Sequence, residues 1–138
     1  LAYWATWIYG TTVVSPEKLA DLARSWIKAP ELVLSSGNFE FLGYDLSQRT
    51  YVLKANDPGR PASLKGVMKA SPEQPLNNLC LVIKDWGETG VQVLIDGKRQ
   101  ENGKGFRLGT IRKMEGSDLV IWVEKKSSKP ITIEIQPQ

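Results

Sequence analysis

Histidine is absent from this 138-residue chain and cysteine occurs once, at Cys80. Without histidine the chain has neither the commonest general base nor the commonest transition-metal ligand. A Ser/His/Asp or Cys/His hydrolase is thereby excluded, and so is a structural zinc site. One cysteine forms no internal disulfide, and the lone thiol does not decide the compartment. Cys80 lies within the run Leu79-Cys80-Leu81-Val82-Ile83, where a small buried hydrophobe is expected rather than a nucleophile.

Long apolar runs are also missing. The opening Leu1–Gly10 is rich in aromatics but too short to span a bilayer, and it has no basic leader, so no membrane span is expected. It starts without methionine, which leads to the expectation of a piece cut from a longer polypeptide. Its aromatic side chains are expected to pack against apolar surface, on this chain or on a neighbouring domain. A large excess of one charge is lacking too. The 18 basic and 15 acidic residues leave a net charge of +3, and the densest basic group, Lys125, Lys126 and Lys129, reads as a solvated turn. Nucleic acid is not an expected partner.

What the chain does have is strand periodicity. Ile131, Ile133 and Ile135 share one face and Thr132, Glu134 and Gln136 the other, a period of two that excludes a helix. From residue 31 onward nine runs read as strands: 31–35, 39–43, 50–55, 64–70, 79–84, 91–96, 106–112, 118–124 and 131–136. Between them stand turn signals such as Ser35-Ser36-Gly37-Asn38 and Asp96-Gly97, with longer loops at 56–61 and 71–78. The run 118–124 is expected to pair with 131–136 as an antiparallel hairpin through the Lys125–Pro130 link. Before residue 31, Ser15-Pro16-Glu17 supplies a cap, an N1 proline and a first-turn acid. Leu19, Leu22, Ala23, Trp26 and Ile27 then follow at helical spacing up to Ala29-Pro30.

The expected fold is therefore mainly β: an antiparallel β-sandwich of eight or nine strands preceded by one amphipathic helix, which packs on an edge or an end. The organisation follows as an N-terminal segment with the helix at 1–30 and a β-sandwich module at 31–138. Length and a hydrophobic content of 41% suit a single core.

No motif fixes a catalytic site. Glycoside cleavage needs two flanking acids, and Asp85 and Glu88 bracket Trp86-Gly87 without a motif around them. A histidine-free lyase would draw on Tyr44, Arg49 or Tyr51, which read equally as strand-flank residues. Gly103-Lys104-Gly105 lacks the Walker spacing and reads as a hairpin turn. Loop oxygens at Asn56-Asp57 and Asn77-Asn78 match no EF-hand pattern. No catalytic residue, metal site or cofactor is assigned. Among the five tryptophans, Trp86 is the one expected to meet a ligand. It ends a strand beside Gly87, where a ring can project from a loop onto a sugar, with Asp85 and Lys84 supplying hydrogen bonds. The competing expectation is that Trp86 plugs the end of the sandwich.

Three stretches carry a resemblance. Ala70–Asn78 leads into Leu81-Val82-Ile83-Lys84-Asp85-Trp86-Gly87. Val93-Leu94-Ile95-Asp96-Gly97-Lys98 is followed by Gly105-Phe106-Arg107-Leu108-Gly109, and last comes Asp118-Leu119-Val120-Ile121-Trp122-Val123-Glu124. Together these resemble the C-terminal β-sandwich accessory modules of large exported bacterial polysaccharide-processing proteins, over residues 31–136 at most. The resemblance implies a non-catalytic module at a periplasmic or extracellular address. Its partners would be a neighbouring domain of the same polypeptide and a glycan. A scaffold domain without ligand and a small histidine-free glycan-acting enzyme are the alternatives.

Overall fold

The computed structural model describes residues 29–138. The expected helix and the aromatic opening fall outside the described residues. Ten strands follow in chain order: β1 (Glu31–Ser36), β2 (Phe39–Asp45), β3 (Thr50–Ala55), β4 (Leu64–Lys69), β5 (Leu76–Lys84), β6 (Val91–Ile95), β7 (Lys98–Arg99), β8 (Phe106–Lys113), β9 (Gly116–Ser127) and β10 (Ile131–Pro137). Each of the nine expected runs lies on a strand. The one strand not anticipated, β7, is two exposed residues long and has no periodicity to read.

Among the described residues two five-stranded sheets form. The first has the order β1-β4-β10-β6-β7 and the second β2-β3-β5-β9-β8. Pairing is antiparallel throughout except between β3 and β5, which run parallel with Tyr51 beside Leu81 and Leu53 beside Ile83. A parallel pair needs a crossover between its strands, and here β4, in the opposite sheet, supplies it.

Alternation puts one row of each longer strand between the sheets. Leu53, Met68, Ile83, Val93, Ile121 and Ile135 are fully buried there, joined by Leu79, Leu81, Val123, Ile131 and Ile133. Truncating one of these large aliphatics to alanine costs about 2–5 kcal/mol, because lost transfer energy and the remaining cavity add.

The expected 118–124/131–136 hairpin does not form. β9 pairs with β5 and β8, whereas β10 pairs with β4 and β6 in the other sheet. Ser127 folds the link on itself: its hydroxyl accepts from the Lys129 amide at 3.0 Å and donates to the Lys129 carbonyl at 2.6 Å. The chain then crosses between layers. Leu119, Ile121 and Val123 consequently lie in the opposite sheet from Ile131, Ile133 and Ile135, with both rows in one core. Alternation specifies that a strand has a buried face, and either arrangement satisfies it.

Two more expected turns are also sheet crossings. Ser36–Phe39 carries the chain from the first sheet to the second, and the Gly103–Gly105 segment, expected as a hairpin, joins β7 to β8 across the layers. Asp96-Gly97 does make a hairpin, with φ of 50° and 79° at the two central residues, the double left-handed geometry of a type I′ turn.

Candidate functional site

The sequence directs attention to the end of β5, where Lys84, Asp85 and Trp86 leave the second sheet. Lys84 is exposed and Asp85 half-buried. Trp86 does not project into solvent: the residue is 0% exposed. Its ring stacks on Phe39 at a centroid distance of 6.2 Å, with the planes 16° apart, and its indole N–H donates to the Thr89 carbonyl at 2.8 Å. The ring that the sequence suggests could project from a loop is instead packed inside the described structure. The indole is large and apolar, and its one polar atom is satisfied by the following turn, so burial there is favourable. Trp86 closes the end of the sandwich.

Around this plug the backbone turns sharply and is clamped from two sides. Asp85 adopts φ 62° and Gly87 φ 95°. The Gly59 amide donates to the Asp85 carbonyl at 3.0 Å, and the Gly87 amide to the Ser117 carbonyl at 3.1 Å. A Cβ on Gly87 would stand 3.0 Å from the Gly59 Cα. Glycine is needed here for both conformation and space.

Charged groups complete the corner. Asp118 is buried, and its Oδ1 accepts from the Asp85 amide at 3.1 Å. The Lys113 ammonium bridges Asp118 at 2.9 Å and Asp85 at 3.5 Å. On the neighbouring β8–β9 residues, the Ser117 hydroxyl donates to Glu88 at 2.6 Å, and Arg112 approaches the same carboxylate at 3.5 Å. The hydrogen bond from Ser117, then Arg112, holds the Glu88 carboxyl below its ordinary range. The hydrogen bond with Asp118 comes first among the causes that raise the Lys113 ammonium.

Sequence reasoning named Asp85 and Glu88 but missed Lys113, Ser117 and Asp118, which hold them. The one signal was an acid, Asp118, opening a strongly apolar strand. Each carboxylate of the corner is matched by a cation or a donor, and the arrangement ties the β5–β6 turn to the β8–β9 hairpin. Its chemistry is that of a clasp.

The other groups raised from sequence have structural roles as well. Tyr51 donates its hydroxyl to the buried Pro30 carbonyl, and Tyr44 meets it edge-on at 4.8 Å. Burial raises both phenols, Tyr44 to about 12 and Tyr51 further, so neither supplies a phenolate near neutral pH. In the glycine loop the Gly105 amide bonds Glu101 O at 2.8 Å and the Gly103 amide bonds Phe106 O at 2.7 Å. Those donors are turned inward rather than toward a phosphate. The Asn56 side chain bridges to Asn38 at 3.0 Å. Cys80 is buried as expected, and burial pushes its thiol up to about 11.

Among the described residues no group of three His, Cys, Asp or Glu is placed to hold a metal ion, and no helix is long and apolar enough to cross a membrane. The chain matches no family model, and neither the curated proteins nor the solved structures contain a match.

Proposed function

We propose that this chain is a non-catalytic interaction module of a larger exported polysaccharide-processing protein, working by contact with a neighbouring domain of the same polypeptide. The observation that carries the protein-contact reading is the apolar exposure at β2, an outermost described strand of the second sheet. Among the described residues this strand pairs only with β3, and within six residues it and its turn expose Phe41 at 38%, Leu42 at 46% and Leu46 at 56%. An outer strand with protruding apolar side chains is a surface on which another protein segment docks. The bulge between Phe41 and Gly43 shortens the regular stretch and so restricts open-ended strand addition.

The exported, polysaccharide-related setting rests on the resemblance of the Leu81–Gly87, Val93–Lys98 and Asp118–Glu124 stretches. Burial of Trp86 favours a protein-facing module over a sugar-facing one, since the ring best placed in sequence to stack on a glycan is spent on the core.

The test introduces Phe41→Asp and Leu46→Asp together in the intact parent polypeptide and follows thermal unfolding of the adjoining domain. Both side chains are already partly in water, so the module itself should change by less than about 1 kcal/mol. The adjoining domain should lose its mutual stabilisation with the module. Undiminished coupling between the two would refute the contact. Retention of the unsubstituted chain by a polysaccharide in affinity electrophoresis would favour glycan contact instead.

A further inference from the structure

At the side of the sandwich formed by β7 and β8 the two layers are unequal. β7 has two residues and β8 has eight. The Gln100 amide donates to the Val93 carbonyl at 2.8 Å, and the chain then crosses to β8. Glu88, just before β6, touches Ser117 and Arg112, so the Val91 end of β6 and the Arg112 end of β8 coincide. Beside Val91 and Gln92 the first sheet has no further strand among the described residues. The consequence shows along the core-facing row of β8. Phe106, Leu108 and Thr110 stand beside Val123, Ile121 and Leu119, all three of them buried. Phe106 is buried as well, but Leu108 is 39% exposed and Thr110 is exposed. A row that begins in the core thus runs out into water as a ledge. On the other face of β8 Ile111 is 49% exposed, and Met114 beyond it is fully exposed.

The ledge is also basic. Residues 98–114 carry Lys98, Arg99, Lys104, Arg107, Arg112 and Lys113 against a single acid, Glu101. Glu101 lies 3.6 Å from Lys104, Glu88 lies 3.5 Å from Arg112, and Asp118 lies 2.9 Å from Lys113. Lys98, Arg99 and Arg107 are exposed and have no ion pair among the described residues. A hollow of about 330 Å³, lined by Arg99, Gln100, Glu101 and Asn102, opens where β7 ends. The strand at the opposite side of the second sheet has the reverse character: β2 carries Glu40 and Asp45 and no cation.

We propose that this ledge docks an extended acidic segment of a partner protein, one whose side chains alternate between apolar groups and carboxylates. The alternation of an extended chain turns its apolar row onto Leu108 and its carboxylates toward the cations. Arg99 and Arg107 supply planar guanidinium groups, which suit carboxylates in paired hydrogen bonds. A second copy of the chain is the poorer occupant. Two β8 strands laid antiparallel about Thr110 bring Arg107 opposite Lys113, and like charges directly opposite destabilise such a pair. This surface lies beyond the β2 contact proposed above and is independent of it. With β2 acidic and β8 basic, the two sides of the sheet discriminate between partners by charge.

The probe is a short end-blocked peptide of alternating glutamate and valine, titrated into the full chain and followed by amide chemical shifts. Saturable binding is expected, with the shifts concentrated on residues 98–113. Arg99→Glu with Arg107→Glu should weaken it about tenfold or more, since both charges of each contact are reversed in sign. Leu108→Ser should weaken it too, and Lys54→Glu, on β3, should leave it unchanged. Should the double variant fail to fold, added salt decides with the unsubstituted chain, because exposed charge pairs are screened. An affinity indifferent to salt would overturn the proposal, as would a titration without saturation at millimolar peptide. Equal binding of a lysine–valine peptide would make the ledge merely apolar, and equal binding of a glutamate–serine peptide would make it a charge patch open to any polyanion. Either result defeats the assignment. Self-association of the chain that Arg107→Glu abolishes would give the ledge to β2 of a second copy, which also overturns it.

Discussion

Single residues divide here by what their polar atoms find when buried. The Trp86 indole N–H has the Thr89 carbonyl and the ring has Phe39, so the side chain stabilises wherever it is sealed in. Trp86→Ala should cost about 3–5 kcal/mol, read as a lowered denaturation midpoint with an unchanged slope. A loss under about 1 kcal/mol would mean the ring is not a plug in solution. The clasp makes pH predictions of opposite sign. Lys113 has its folded pKa raised above the ordinary 10.5, so its stabilisation is complete below that value and fades as pH rises through the folded one. Glu88 has its folded pKa lowered from 4.5, so its share is complete above 4.5 and fades as pH falls through the depressed value. Asp118→Asn should weaken the alkaline limb of a stability–pH curve, and Ser117→Ala the acid limb. Interchanged effects would contradict the assignment.

At the scale of elements, the turns show how local geometry and surroundings combine. Gly87 and Gly97 both lie at positive φ, 95° and 79°, but a Cβ meets the Gly59 Cα at 3.0 Å in the first case and nothing within 4 Å in the second. Gly97→Ala should cost about 1 kcal/mol from conformation alone. Gly87→Ala should cost more, roughly 2–4 kcal/mol, because strain at positive φ adds to a backbone clash that no side-chain rotation relieves. Comparing the two unfolding midpoints checks this, and equal losses would show that the 57–60 loop yields freely. The β9–β10 link illustrates the same point for whole strands. A short polar segment ending in proline suits a hairpin and suits a crossover equally, and here packing of β9 between β5 and β8 takes the second course.

For the molecule as a whole, both sheets are assembled from strands distant in sequence: β1 beside β4, β4 beside β10, β5 beside β9. Such pairing must close long loops before contacts form, so refolding is expected in milliseconds to seconds rather than microseconds. Stopped-flow fluorescence measures it, and a submillisecond main phase would contradict the topology. Nine strands were legible in the chain because a side-chain period of two is a local property, visible wherever one face is wet and the other dry, as in Ile131, Ile133 and Ile135. Cys80 was legible as a buried thiol for a similar reason, its apolar neighbours. Neighbour relations were not, because β9 satisfies its apolar face equally well beside β10 or across from it, and only the packing of all ten strands selects between them. The surroundings of the candidate site were not legible on the same ground. Residues 84–86 read alone allow a projecting ring, whereas Phe39, Gly59, Lys113, Ser117 and Asp118, which bury and clasp that turn, arrive from three distant parts of the chain. Local pattern decides which residues seek cover, and tertiary packing decides what covers them.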